Sequence, residues 1–192
     1  GSHSLLGAKF GRGLRVADNT HELEVLTYDG TRMRVGETPP DELERVIAAG
    51  GRRGEIYARL KALRDKYADE IRTRSPKLGR RVSGYNLDAL LPENNFHVAK
   101  ALVGTESTCV TILEATLNLV PNPKARSLLV LGYPDIYSAC EHLTEILEFK
   151  PTALEGLDHL LFEYVRAKGD KAANMALLPD GRGFLMVEFG GD

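Results

Sequence analysis

Residues 101–120 read ALVGTESTCVTILEATLNLV. Gly104, Thr105, Glu106, Ser107 and Thr108 form a small, polar, turn-prone cluster, and an alternating apolar run follows at once from Cys109 to Leu119. That order predicts a turn feeding a β-strand, because strand side chains repeat every second residue. Such a turn can set backbone N–H groups against a ligand. Read from the residues alone, a buried strand after an ordinary turn is the preferred account of the pattern.

The same segment resembles the G-S-E-G-T-L-G-V-I-T-E-A-T-L-R-L signature of flavoproteins with the vanillyl-alcohol-oxidase-type FAD domain, in the branch of D-lactate dehydrogenase and the glycolate oxidase flavin subunit. Gly104 to Thr108 stand at G-S-E-G-T, and Glu114, Ala115, Thr116 and Leu117 reproduce E-A-T-L. Ser107 replaces the second glycine, and Cys109, Val110 and Thr111 replace L-G-V. A non-glycine residue costs free energy wherever the turn needs positive φ. Three further blocks are similar to the family in the same order. These are HSLLGAKFGRGLRVADNTHELEVLTYDGTRMRVG (3–36), RRVSGYNLDALLPE (80–93) and LLVLGYPDIYSACEHLTEILEFKPTALEGLD (128–158).

The resemblance implies an α+β fold: residues 1–123 as the second part of a PCMH-type FAD-binding domain, an antiparallel sheet with helices, and 124–192 as the start of a ferredoxin-like FAD-oxidase C-terminal domain on the substrate side. It implies FAD as cofactor, a small-molecule D-2-hydroxy acid as substrate and an electron acceptor as partner. The cofactor-facing residues would be Gly104, Thr105, Glu106, Ser107, Thr108, Cys109, Val110 and Ile112, acting mainly through turn amides. Glu106 is read as a turn-stabilising carboxylate, Tyr85 as a neighbour of the site, and Arg80 and Arg81 as groups suited to a phosphate or carboxylate.

The family's G-T-S-x-S-G pyrophosphate loop and its late H-x-H-x-G-D-G-N-x-H segment do not occur in these residues. An excised central portion of a longer flavoenzyme is therefore expected, inactive by itself and without a nominated general base, with Gly1 to His3 read either as a tag scar or as part of the C-G-x-H-S run that the resemblance implies. Two other readings stay open: a non-catalytic α+β interaction module, and a subunit that completes a split flavoenzyme. His3, His21, His97, His142 and His159 are scattered, with no pair spaced to put two imidazoles on one face, so no metal site is expected.

Composition narrows the class further. The 192 residues are 43% hydrophobic and carry a net charge of -2, enough for a core and giving no electrostatic case for nucleic acid. The cluster from Lys77 to Arg81 reads as a solvated turn. Cys109 and Cys140 make no disulfide framework and are expected as buried small side chains. No apolar stretch approaches the ~20 residues of a membrane span, and no signal peptide is visible, so a cytoplasmic setting is expected.

Element by element, Glu22 to Tyr28 alternates as a strand with Leu23 and Val25 on one face, and Asp29-Gly30 turns it tightly onto a partner at Thr31–Val35. Glu42–Ala49 reads as a helix after Pro39-Pro40, stopped by Gly50-Gly51. A second helix runs from Glu55 to Arg72 on a stripe of Ile56, Leu60, Leu63, Tyr67 and Ile71, with Arg64 on another face. Tyr57 and Tyr67 are read as core or surface residues of that helix. Pro121-Asn122-Pro123 breaks the chain. Beyond it the pattern predicts strand 127–131, helix 136–147, edge strand 152–155, helix 157–166 and strand 183–189.

Overall fold

A computed structural model describes residues 15–77, 84–119, 123–169 and 176–191. The chain divides into two compact units, one running to residue 120 and the other from residue 121 onward. Both are α+β, and each is built on a three-stranded antiparallel sheet. Among the described residues no helix is long and apolar enough to cross a membrane.

In the first unit, a single turn of helix, α1 (Val16–Asn19), leads into β1 (Thr20–Thr27), which pairs with β2 (Arg32–Val35). Leu23 and Val25 of β1 are buried as its alternation requires. The hairpin differs from the tight turn expected from Asp29-Gly30. Its loop has three residues: Gly30 N donates to Thr27 O at 3.0 Å, Thr27 N donates to Thr31 O at 3.0 Å, and of the pair only Gly30 takes positive φ, at 84°. Asp29 instead turns its carboxylate inward to accept from Thr31 N and from the Thr27 hydroxyl, which hold it well below the usual carboxylate range. A turn followed by a left-handed glycine is the other common way to close such a loop.

Helix α2 (Pro40–Ala49) opens on proline and ends where Gly50 and Gly51 take φ of 69° and 64°. Helix α3 (Gly51–Arg74) folds back on it, and a Cβ at Gly54 would lie 3.0 Å from Val46 O, a contact tight enough that the crossing would have to open by a few tenths of an ångström for a larger residue. The buried residues of α3 are Gly54, Tyr57, Arg64 and Ile71, a face rotated from the expected stripe. Leu63 and Tyr67 are 38% and 43% exposed, and Tyr67 sits at a kink with φ -116°. The reason is Phe96, which lies outside the helix. Its ring meets Tyr57 with centroids 6.1 Å apart, and the Arg64 guanidinium lies 5.3 Å from its centre. A long Arg stem buries well while its head pairs with Asp65, so the aromatic contact chooses the face that apolar spacing did not.

Two short 3₁₀ turns (Leu87–Leu90 and Pro92–Asn94) precede helix α4 (Val98–Leu102), and β3 (Val110–Leu117) completes the sheet in the order β2-β1-β3. The core holds Leu23, Val25, Val35, Leu43, Tyr57, Leu90, Phe96, Val98, Ala99 and Val110. The buried-strand reading of β3 fails. Only Val110 of β3 is buried, whereas Ile112, Leu113 and Leu117 are each nearly half exposed on an outer strand.

The second unit runs β4 (Ala125–Tyr133), α5 (Ile136–Glu141), α6 (Leu143–Glu148), β5 (Ala153–Asp158), α7 (His159–Ala167) and β6 (Gly183–Gly191), with sheet order β4-β6-β5. The helix expected at 136–147 is broken at His142, whose ring stacks on Tyr133 at 5.1 Å. β5 is an edge strand, as its sequence indicates, and the closing strand β6 is the central one. Ala139, Leu185 and Val187 form its core. Both cysteines are exposed, contrary to expectation. Cys109 belongs to the turn ahead of β3, and on α5 Ala139 takes the inward position beside Cys140.

Two stability measurements follow. The Tyr57 hydroxyl is buried without a hydrogen-bond partner among the described residues. Tyr57→Phe is therefore expected to leave the unfolding free energy from urea denaturation unchanged or raise it by up to about 1 kcal/mol, while Tyr57→Ala lowers it by roughly 3–5 kcal/mol. Separately, Arg72 grips Glu93 with two hydrogen bonds, of 2.8 and 3.1 Å, and lowers the Glu93 carboxyl to about 2. A depressed folded-state value stabilises above the ordinary glutamate range and loses that contribution as pH falls. The difference in urea midpoint between wild type and Glu93→Gln should be present at pH 7 and close between about pH 4.5 and 2.

Candidate functional site

The turn between α4 and β3 is built from threonines. Thr105 is buried, and its amide and hydroxyl both donate to Leu102 O, at 3.2 and 2.9 Å. Thr108 repeats the arrangement one step on, donating to Thr105 O from its amide at 3.0 Å and its hydroxyl at 2.6 Å. These paired bonds wind the chain so that Gly104, Glu106 and Ser107 take φ of 84°, 51° and 62°. Ser107 thus adopts the left-handed conformation that the resembling signature assigns to glycine, at a side-chain cost that Gly would not incur.

Three contacts from elsewhere in the first unit tie the turn down. The Tyr28 hydroxyl, at the tip of the β1–β2 hairpin, donates to Ser107 O at 2.6 Å. Tyr85 lies 2.8 Å from the Thr108 hydroxyl oxygen. Because Thr108 already gives its one proton to Thr105 O, Tyr85 is the donor. Asn86, buried, donates from Nδ2 to Lys100 O and Val103 O at 3.2 and 2.9 Å, which fixes the end of α4 that enters the turn. The G-Y-N-L element and the turn therefore form one hydrogen-bonded body.

The outer surface of this body is Glu106, Ser107, Thr108 and Cys109, all exposed, with Gly104 partly so. Of the remaining sequence-named residues, Val110 points its side chain into the core and Ile112 sits on the open strand, 48% exposed. Sequence reasoning missed Tyr28. The available signal was register: Thr27 of β1 lies opposite Val110 of β3, which brings the hairpin tip beside the turn. Tyr57 is a core residue and Tyr67 a surface one, and Arg80 and Arg81 fall outside the described residues.

His97 is the other buried titratable group nearby. It caps α4 by accepting from Lys100 N at Nδ1, and burial, followed by the Lys100 charge, lowers its pKa. Among the described residues no group of three histidine, cysteine or carboxylate side chains is placed to hold a metal ion. The arrangement can present backbone and small polar side chains to a flat or extended ligand between two tyrosines. It contains no nucleophile–base pair.

No protein-family profile matches the chain. Relatives are nevertheless clear. The chain is 30% identical over 145 residues, 75% of its own length, to a D-2-hydroxyglutarate dehydrogenase of Pseudomonas putida, and 24% identical over 185 residues, 93% of its length, to one of Pantoea ananatis. It is 35% identical over 92 residues, 47% of its length, to the glycolate oxidase subunit GlcD of Bacillus subtilis. The aligned segment spans only 14%, 18% and 17% of those relatives. The chain is thus similar to one segment of D-2-hydroxyglutarate dehydrogenases and of a glycolate oxidase subunit, relatives that belong to the FAD-linked oxidase family.

Proposed function

We propose that this chain is the central part of an FAD-dependent enzyme that oxidises a D-2-hydroxy acid, and that Gly104–Ile112 forms one wall of its flavin site. The observation that carries the reading is the left-handed Ser107 within an exposed turn braced by Tyr28 and Tyr85. The residues fit the group as a wall. The turn exposes a left-handed backbone that glycine usually supplies, and Ile112 and Leu113 of the adjoining strand are each about half exposed.

In this reading residues 1–123 are the second part of the FAD-binding domain and 124–192 begin the substrate-side domain. Bound FAD would supply the electron sink that takes hydride from the substrate carbon. The chain's own part is to orient: the turn backbone meets the cofactor and the two tyrosines hold that backbone still. No described residue in the turn is positioned as the base that takes the hydroxyl proton, so turnover needs further polypeptide.

The test is FAD titration by flavin fluorescence quenching, made on the 192-residue chain and on a longer polypeptide extended by about one subdomain at its N-terminus. Binding by the longer form alone is expected, with no oxidation of D-lactate, glycolate or D-2-hydroxyglutarate by the short one; binding by neither would refute the assignment. Within the longer form, Ser107→Gly should keep flavin binding and stabilise the fold by up to about 1 kcal/mol. Ser107→Val, β-branched at positive φ, should weaken binding.

A further inference from the structure

The second unit holds a cavity of about 320 Å³ that the flavin reading does not use. It lies between one face of α7 and residues 178–184, which lead into β6. Its apolar side is Phe162 and Phe184, packed edge to face with centroids 4.9 Å apart. Its polar side carries Arg166 and Arg182 together with Glu163 and Asp180. Neither arginine is ion-paired with a carboxylate among the described residues, although both acids line the same space. Glu163 has the His159 ring 3.8 Å away, and Arg166, Arg182 and Asp180 have no partner of opposite charge among the described residues, so the guanidinium groups and Asp180 can meet opposite charges on a ligand.

Arg182 is held for that purpose from three directions. Its amide donates to Tyr133 O at 2.8 Å, and its carbonyl accepts from His159 N at 2.9 Å. Its guanidinium donates to His159 Nε2. A guanidinium has no acceptor, so Nε2 carries the lone pair and Nδ1–H donates to Asp158 Oδ1, 2.9 Å away. The next residue is fixed too, because a Cβ on Gly183 would fall 2.2 Å from Asp135 O. An arginine with its backbone and one arm of its head immobilised loses little freedom on binding.

We infer that this cavity binds a small zwitterionic amino acid with an apolar side chain. The carboxylate is taken by Arg182 and Arg166, whose planar donors suit its two oxygens. The ammonium faces Glu163 and Asp180, and the side chain rests on Phe162 and Phe184. Two positive and two negative groups, Arg182 being the one held in place, favour a ligand with one charge of each sign over a dianion. The volume is at the small end of ligand cavities, about 300–1,000 Å³. This inference does not depend on the flavin wall, which belongs to the first unit.

The experiment is a titration of the isotope-labelled 192-residue chain, followed by amide NMR, with L-valine, sodium acetate, sodium glycolate and sodium chloride. L-valine should give saturable shifts confined to residues around 159–166 and 178–184. Acetate should bind more weakly and chloride should give none. Arg182→Gln should weaken valine binding by about tenfold, as loss of a charge-assisted bond does. Glu163→Gln, on an exposed helix face, should do likewise and serves if the first variant is poorly folded. No saturable response to valine below roughly 10 mM, equal binding of glycolate, or shifts unaffected by both variants would overturn the inference.

Discussion

Phe96 is the contact on which the first unit turns. Its backbone lies at φ 47°, a conformation that a bulky side chain adopts only when its surroundings require it. They do so here: the ring is 2% exposed, packed against Tyr57 and covered by Arg64. Neighbouring main-chain bonds hold the same bend, with Thr38 N on Asn95 O, His97 N on Ala89 O and Val98 N on Gly36 O. Burying the ring selects the face of α3, and the bend that allows it aims α4 toward the turn ahead of β3.

From that constraint the candidate site follows as a chain of supports. Asn86 fixes the end of α4, the Thr105 and Thr108 pairs wind the turn, and the two tyrosines brace its outer side. Each support uses a side chain distant in sequence to hold backbone in place, so the exposed part of the turn can keep an unfavourable φ at Ser107. Rigid backbone presented by a scaffold is what a flat cofactor wall needs. In the second unit the same device recurs around Arg182, where main-chain bonds on both sides steady a charged side chain at a cavity edge.

The sequence carried the elements whose signal is local. Alternation in β1, the proline start and double-glycine stop of α2, and the strand–helix order after Pro123 are all read from neighbouring residues, and each appears in the expected order, although the first helix after Pro123 is broken at His142. The turn at Gly104–Thr108 was legible for the same reason, as was the link between Tyr85 and that turn through the resembling element. Departures occurred where a distant partner decides. Arg64 was assigned outward because charge usually is, and Phe96 reversed it. β3 reads as buried because it is apolar, yet within these residues only β1 lies beside it in the sheet.

The sequence by itself therefore determined most of the elements, the α+β class and the family to which the turn's motif points, because periodicity, capping and turn chemistry act over a few residues. Tertiary structure alone decided which face of α3 is buried, that Tyr28 reaches Ser107, and that Arg166 and Arg182 share a cavity with two acids. Those facts depend on sheet register and on packing between residues far apart in the chain, and no spacing along a sequence encodes the distance between them.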